Sequence, residues 1–344
     1  MKRGIVILLV GAVLVAAVLG ATAWQVDRFM ASPATVPENG IDFEIAPGSS
    51  FAAVTRDLVE QRVIETDRWF RLYGRWSGQA GEVQAGHYLL LPGATPRSML
   101  EQFTSGAVRL HSFTIIEGWN HRDLLTALHS DDHIEPSMTD EDWPGLLAEL
   151  GATVTHPEGL FLPETYRFPR GTTDRQLLKQ AYGLMQKVLA EEWLERDTSI
   201  PLQSPYEALI LASIVEKETA RADERQRIAG VFTRRLEKRM RLQTDPTVIY
   251  GIGATFNGNL TRKDLRTDTP YNTYTRHGLP PTPIAMPGRA AIEAALNPAP
   301  GKELFFVATG LDDGSHRFSA NKSEHDAAVA EYLRRLRSKR NNGE

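Results

Sequence analysis

The sequence has 344 residues, 42% of them hydrophobic, enough for one large domain or two ordinary ones. A formal net charge of −4 gives no general pull toward nucleic acid. The absence of cysteine excludes disulfides, cysteine nucleophiles and cysteine-ligated zinc.

Met1-Lys2-Arg3 is basic, and Gly4 to Trp24 follows without a charge. At ~1.5 Å per residue that stretch spans about 30 Å, one bilayer core. The basic start predicts a cytoplasmic segment at 1–3, an anchor at 4–24 and a chain that continues outside the cytoplasm. Ala21-Thr22-Ala23 also resembles a signal-peptide cleavage site, but the apolar stretch is longer than an ordinary signal core. Residues 25–40, with two prolines, read as a linker.

Ile41 to Ala46 alternates like a strand. Ser49-Ser50 offers a helix cap before FAAVTRDLVEQRVI, and a second helix runs from Thr66 to Trp76, capped by Thr66 or Asp67. Val83 to Leu91 is strand-like and Thr95 to Phe103 helical, so residues 41–108 form a small α+β module. Strand Leu110 to Glu117 and helix His121 to His129 open a larger mixed α+β domain at 109–344. Residues 130–205 are mostly helical, with a long helix from Thr173 to Trp193; another helix begins near Tyr206. Residues 242–290 are rich in Gly, Pro, Asn, Thr and Tyr and read as an irregular binding surface in which Pro246 sets a turn. Leu304 to Thr309 and His316 to Ala320 form a hairpin around Asp312-Asp313-Gly314. A last helix starts near Ser323, and its end, LRRLRSKR, reads as a solvated tail.

The stretch LILASIVEKETA, Leu209 to Ala220, carries the chemistry. On a helix Glu207, Leu211, Ile214, Val215, Glu218 and Ala222 share one stripe, so Glu218 continues an apolar line. Glu216 lies about 160° around the helix, and the two carboxylates cannot reach one site. Desolvation raises a carboxyl's pKa and makes it a general acid near neutrality, suited to protonating a glycosidic oxygen. Two rival readings remain open: Glu218 paired with Arg221 or Arg225 on a solvent edge, and a Ser213/Lys217 nucleophile–base pair at i,i+4.

Three polar segments accompany this helix: HPEGLFLPETYRF with Glu158 and Glu164, LQTDPTVIYG with Gln243, Thr244 and Asp245, and YNTYT with Tyr271, Asn272 and Tyr274. Amides, hydroxyls and aromatic faces together suit sugars. Each segment taken alone also fits a polar turn bonded to its own backbone. The nine histidines are read as offering no metal-ligand set of the His-x3-His kind, and no phosphate loop or dinucleotide fingerprint occurs. No cofactor and no metal are therefore expected.

ASIVEKETA, RLQTDPTVIYG and YNTYTRHGLPPTPIAMPG, in that order, resemble the YceG-like endolytic murein transglycosylases (the MltG family), and EGLFLPETY resembles that family's upstream motif. The resemblance covers nearly the whole chain. It implies a single-pass inner-membrane protein facing the periplasm, with a LysM-like module at 41–108 and a catalytic transglycosylase domain at 109–344. It further implies a lyase that cuts the MurNAc–GlcNAc β-1,4 bond within peptidoglycan strands and leaves 1,6-anhydro ends. The family's catalytic glutamate is the second Glu of EKET, which falls on Glu218. Glu158, Glu164, Gln243, Asp245, Tyr271, Asn272 and Tyr274 are the candidate substrate-binding residues. The expected partners are glycan strands, the inner membrane and peptidoglycan synthases, not nucleic acid. A hydrolytic muramidase using Glu158, Glu164 or Asp245 as second carboxylate, and a non-catalytic glycan-binding scaffold, are the alternatives.

Overall fold

The computed structural model describes residues 2–341, with side chains described over 5–339. The chain divides into two compact units, residues 1–111 with 167–171, and residues 112–166 with 172–344.

The first unit begins with α1 (Lys2–Ala31). Ile5 to Leu19 carry exposed Val, Ile and Leu side chains, and α1 is the one described helix long and apolar enough to cross a membrane. The helix does not stop at Trp24 but runs seven residues further, to Ala31. There Val26 is 9% and Met30 0% exposed, packed in the core of the unit. The first residues of the expected linker are therefore helix and core, because the apolar period continues past the uncharged run.

β1 (Ile41–Ile45) pairs antiparallel with β2 (Gly86–Leu90), with Phe43 opposite Tyr88 and Ile41 opposite Leu90. Alternation sends Phe43, Ile45, Tyr88 and Leu90 to the buried face. Between the strands lie α2 (Phe51–Glu60) and α3 (Asp67–Trp76). The Ser50 hydroxyl accepts from Ala53 N at 3.2 Å and that of Thr66 from Arg68 N at 3.3 Å. α4 (Pro96–Ser105) opens on a Thr95–Ser98 capping box and ends at Gly106 in the left-handed region. Phe103 stacks on Phe43 at 5.6 Å and meets Tyr88 edge-on at 4.9 Å, closing the core.

β3 (Leu110–Thr114) and β5 (Thr165–Pro169) lie where the chain passes between the units. The second unit contains α5 (His121–His129), α6 (Trp143–Glu149), α7 (Asp174–Leu194) and a short parallel pair, β4 (Ile134–Glu135) with β6 (Thr172–Thr173). Its centre is α8 (Pro205–Glu218). Ser204 caps α8, Pro205 opens it, and every residue from Ala208 to Val215 is buried. A helix apolar all round belongs inside. α8 is enclosed by α7, α9 (Arg225–Glu237), α10 (Asp245–Ile252) and α11 (Arg289–Leu296). The expected single stripe is thus one side of a helix covered on all sides.

α10 lies inside the stretch expected to be irregular. Asp245-Pro246 starts a helix rather than a turn, since proline suits the first helical turn as well as it suits a turn. β7 (Phe305–Ala308) and β8 (His316–Ser319) form the expected antiparallel hairpin. α12 (Lys322–Asn341) packs along it. The basic end of α12 is tied down: Arg335 donates to Thr309 O at 2.8 Å and pairs with Glu331, and Lys339 pairs with Asp312.

Candidate functional site

α8 ends at Glu218 because Thr219 is extended, with φ −148° and ψ 135°. The end of the apolar run is therefore also the end of the helix. A carboxylate there meets the negative pole of the helix as well as burial. The Thr244 hydroxyl donates to Glu218 Oε1. Burial pushes the Glu218 carboxyl up to about 7; the Thr244 hydrogen bond opposes this, the Asp245 carboxylate adds to it, and the Arg235 guanidinium opposes it.

Thr244 is held from several sides. Its N–H donates to Thr273 Oγ1 at 3.1 Å, Gln243 N donates to Thr273 O at 3.2 Å, and Gln243 takes a left-handed φ of 52°. Tyr274 Oη donates to Asp245 Oδ1 at 2.5 Å. Arg235, 7% exposed, donates to Leu304 O at 2.6 Å and Leu242 O at 2.7 Å, tying β7 to the loop that carries Thr244. Glu218, Arg235, Gln243, Asp245 and Tyr274 line one cavity of about 410 Å³. Glu218 also lines a second cavity, of about 590 Å³, with Arg221, Asp313, His316 and Lys339. Glu218 thus lines both cavities.

The rival readings of the helix lose their geometry. Arg221 pairs with Asp223 at 2.7 Å, and Arg225 approaches Glu216 at 3.6 Å and Glu117 at 3.7 Å. Ser213 is fully buried; its hydroxyl donates to Ile210 O and accepts from Ile284 N, while Lys217 Nζ donates to Gly118 O. Glu216 accepts from Gly288 N at 3.0 Å at the start of α11, a favourable place for a carboxylate. Burial still raises its pKa, partly offset by that N–H.

Not all candidate residues gather at Glu218. Gln243, Asp245 and Tyr274 do. Tyr271 lines a separate cavity of about 1030 Å³ with Asn120, His121, Arg122, Lys217 and Tyr250. Glu158, 0% exposed, lies behind that cavity: Oε2 accepts from His121 Nδ1 at 2.8 Å and Tyr250 Oη at 2.9 Å. Asn272 is buried, and its amide donates to Asp264 O, Leu265 O and Thr267 O, which fixes the preceding loop. Glu164 is exposed and accepts from the N–H of its neighbour Thr165 at 2.8 Å. Asn272 and Glu164 are thus structural and peripheral in position.

Three contributors escaped the sequence reading as site residues: Thr244, Arg235 and His316. Thr244 stood beside two chosen residues, but nothing local marks a threonine as a partner of a glutamate 26 positions away. His129 and His133 do stand four apart, contrary to the reading of the histidines. α5 ends at His129, so the two share no helix face, and no group of three or more His, Asp or Glu is placed to hold a metal among the described residues.

Gly159, next to Glu158, has φ +78°, and a Cβ there would lie 2.5 Å from Pro283 Cβ. Gly159→Ala is expected to cost about 2 kcal/mol or more, through backbone strain and the clash with a rigid ring. Thermal or urea unfolding of the variant checks this.

The profile of the YceG-like family matches residues 43–331. The chain is 32% identical over 315 residues to an endolytic murein transglycosylase of Bacillus subtilis (strain 168), covering 85% of each protein. It is 27% identical over 322 residues to an endolytic murein transglycosylase of Streptococcus pneumoniae (strain D39), covering 84% of this chain and 58% of that protein. The crystal structure of a yceG-like protein from Listeria monocytogenes superposes with a TM-score of 0.51 at 29% identity, over 85% of this chain and 99% of that one. With the profile spanning residues 43–331 and a relative 32% identical over 85% of both proteins, the chain belongs to the YceG-like family.

Proposed function

We propose that the chain is a membrane-anchored lytic transglycosylase that cuts peptidoglycan strands internally, with Glu218 as its acid. Its relatives are named endolytic murein transglycosylases, and the chain is an enzyme of that class. The observation that carries the residue-level reading is Glu218 itself. It is held up to about 7 by burial and lines two cavities. A glycan laid through both cavities presents an internal bond to that carboxyl.

Protonated Glu218 gives its proton to the glycosidic oxygen as the C1–O bond of the muramic acid unit breaks. The muramic acid C6 hydroxyl closes on C1 and yields a 1,6-anhydro end. The substrate supplies the nucleophile, and the Glu218 carboxylate left behind is a base able to take the C6 proton. One carboxyl can therefore carry the reaction, unlike the pair an ordinary glycosidase needs. Gln243, Asp245 and Tyr274 bind the sugars beside it; Tyr271 and Glu158 serve the neighbouring cavity.

The exposed apolar face of α1 supports an inner-membrane anchor with a cytoplasmic N-terminus and a periplasmic remainder. The strand–helix–helix–strand order of residues 41–90 supports a LysM-like, glycan-binding reading of 41–108. A cutter held at the membrane would act on nascent strands beside peptidoglycan synthases.

Of the three carboxylates considered for a hydrolase, Asp245 alone shares a cavity with Glu218. The deciding test is mass spectrometry of polymeric peptidoglycan digested by the detergent-solubilised full chain. Anhydro-ended internal fragments are expected. Reducing muramic acid ends would make the protein a hydrolase with Asp245 as second carboxylate, and binding without cleavage would make it a scaffold.

A further inference from the structure

Each cavity beside Glu218 contains a histidine. His325, on the Tyr274 side, stacks on Phe305 at 5.1 Å, and burial, chiefly, disfavours its charged form. Among the described residues its buried Nδ1 has no hydrogen-bond partner. His316, on the other side, is built differently. It opens β8, and its Nδ1 lies 2.7 Å from Glu224 Oε2, while its backbone N–H donates to Glu224 Oε1 at 2.9 Å. Glu224 ends the short turn before α9 and is 6% exposed. Phe306 meets the imidazole edge-on at 5.5 Å. One buried carboxylate thus grips both the ring and the main chain of a single histidine, and that histidine lines the same cavity of about 590 Å³ as Glu218.

A carboxylate only accepts hydrogen bonds, so Glu224 requires the proton on Nδ1 and leaves Nε2 with its lone pair. A buried carboxylate that fixes the tautomer and faces the imidazolium once it forms is the arrangement by which a histidine takes a proton from an attacking hydroxyl. The hydroxyl here is not a serine of the protein but a primary alcohol of the substrate.

Building on the proposed transglycosylase reaction, we propose that His316, oriented by Glu224, is the base that takes the muramic acid C6 proton, so that acid and base are divided between Glu218 and His316. The steps balance. The Glu218 proton goes to the leaving oxygen as its bond to C1 breaks. The O6–C1 bond forms, and the O6 proton goes to His316 Nε2. Turnover leaves a carboxylate and an imidazolium, which regain and release one proton each through solvent. Glu224 is a positioning residue: it touches no substrate.

The experiment uses the full chain in detergent with polymeric peptidoglycan. It reads initial rate, KM and the ratio of anhydro to reducing muramic acid ends. His316→Ala is expected to lower kcat about 100-fold with little change in KM. Added imidazole is expected to restore about tenfold or more, and reducing ends should rise as water competes for C1. Glu224→Gln should lose about tenfold without the shift to alanine-like imidazole rescue. His316→Gln, close in size and polarity, replaces the alanine variant if melting shows that one to be unfolded. Activity within about threefold of wild type, or a loss that imidazole does not touch with products still wholly anhydro, overturns the role of His316. Absence of anhydro ends from the wild type itself would instead overturn the underlying reaction.

Discussion

Glu218→Gln is expected to abolish glycan cleavage and, above neutral pH, to make the protein more stable. Loss of a general acid costs about 10²–10⁴ in rate, and glutamine keeps the shape while having no proton to give. The stability gain follows from the raised pKa. The folded pKa of about 7 lies above the ordinary 4.5, so the folded state holds the proton more tightly than the unfolded chain. Below pH 4.5 both states are protonated and the carboxyl costs nothing extra. As pH rises from 4.5 to about 7 the unfolded chain ionises first, and stability falls; above about 7 the whole cost is present. That cost is up to about 3 kcal/mol, trimmed by solvent in the two cavities. Melting temperatures of wild type and variant should therefore converge near pH 4.5 and separate toward pH 8, the variant melting higher. The wild-type kcat should fall as pH passes about 7, where the acid form is lost. A rate that kept rising to pH 9 would remove Glu218 from the acid role. A site that is costly to the fold and needed for turnover is the usual stability–activity trade-off.

Glu158→Ala is expected to be among the most destabilising single changes in the second unit, yet to leave the product chemistry unchanged. The side chain is fully buried, and its Oε2 accepts from His121 N, His121 Nδ1 and Tyr250 Oη. Truncation strands these donors; each buried, unpaired polar group costs about 1–3 kcal/mol, so the sum is about 3 kcal/mol or more. Tyr250, whose pKa burial and then Glu158 hold well up, would lose its partner and its wall of the adjoining cavity. Glu158→Gln keeps the acceptor oxygen and should lose less. Unfolding curves read the first effect. Mass spectrometry reads the second: residual activity should still give anhydro ends, since Glu158 holds α5 to α10 and does not face Glu218. A switch to reducing ends, or a rate loss as deep as that of Glu218→Gln without loss of stability, would return Glu158 to the reacting centre.

The extent of α1 bears on any soluble version of the protein. A fragment starting at residue 28 removes Val26 from the core and Asp27 from its 2.6 Å pair with Arg97. A fragment that keeps the last two turns of α1 is expected to melt higher.

Much of the fold was legible because its signals are local. The caps at Ser50 and Thr66, the alternation in β1 and the hairpin of β7 and β8 each depend on a few neighbouring residues. Legibility failed where one local signal serves two structures. Asp245-Pro246 reads equally as turn or helix start, and the packing of α10 against α8 decided for the helix. It failed again at helix ends that no glycine or proline marks. α1 passes Trp24, and α8 stops at Glu218 before an ordinary Thr-Ala-Arg. Those ends are set by what each helix packs against.

The same division holds at the site. The sequence by itself determined that Glu218 follows an apolar helix and is desolvated, because burial of a helix is written in its own residue pattern. It also determined which polar segments carry amides, hydroxyls and aromatic rings. Only the tertiary structure decided which of them meet. It set Thr244, Asp245 and Tyr274 beside Glu218, withdrew Glu158 into a buried network, turned Asn272 inward to hold a loop, and brought His316, paired with Glu224, to the second cavity that Glu218 lines. The reason is physical. Burial along one helix is a property of neighbours in sequence, whereas a hydrogen bond between distant segments depends on the packing of everything between them.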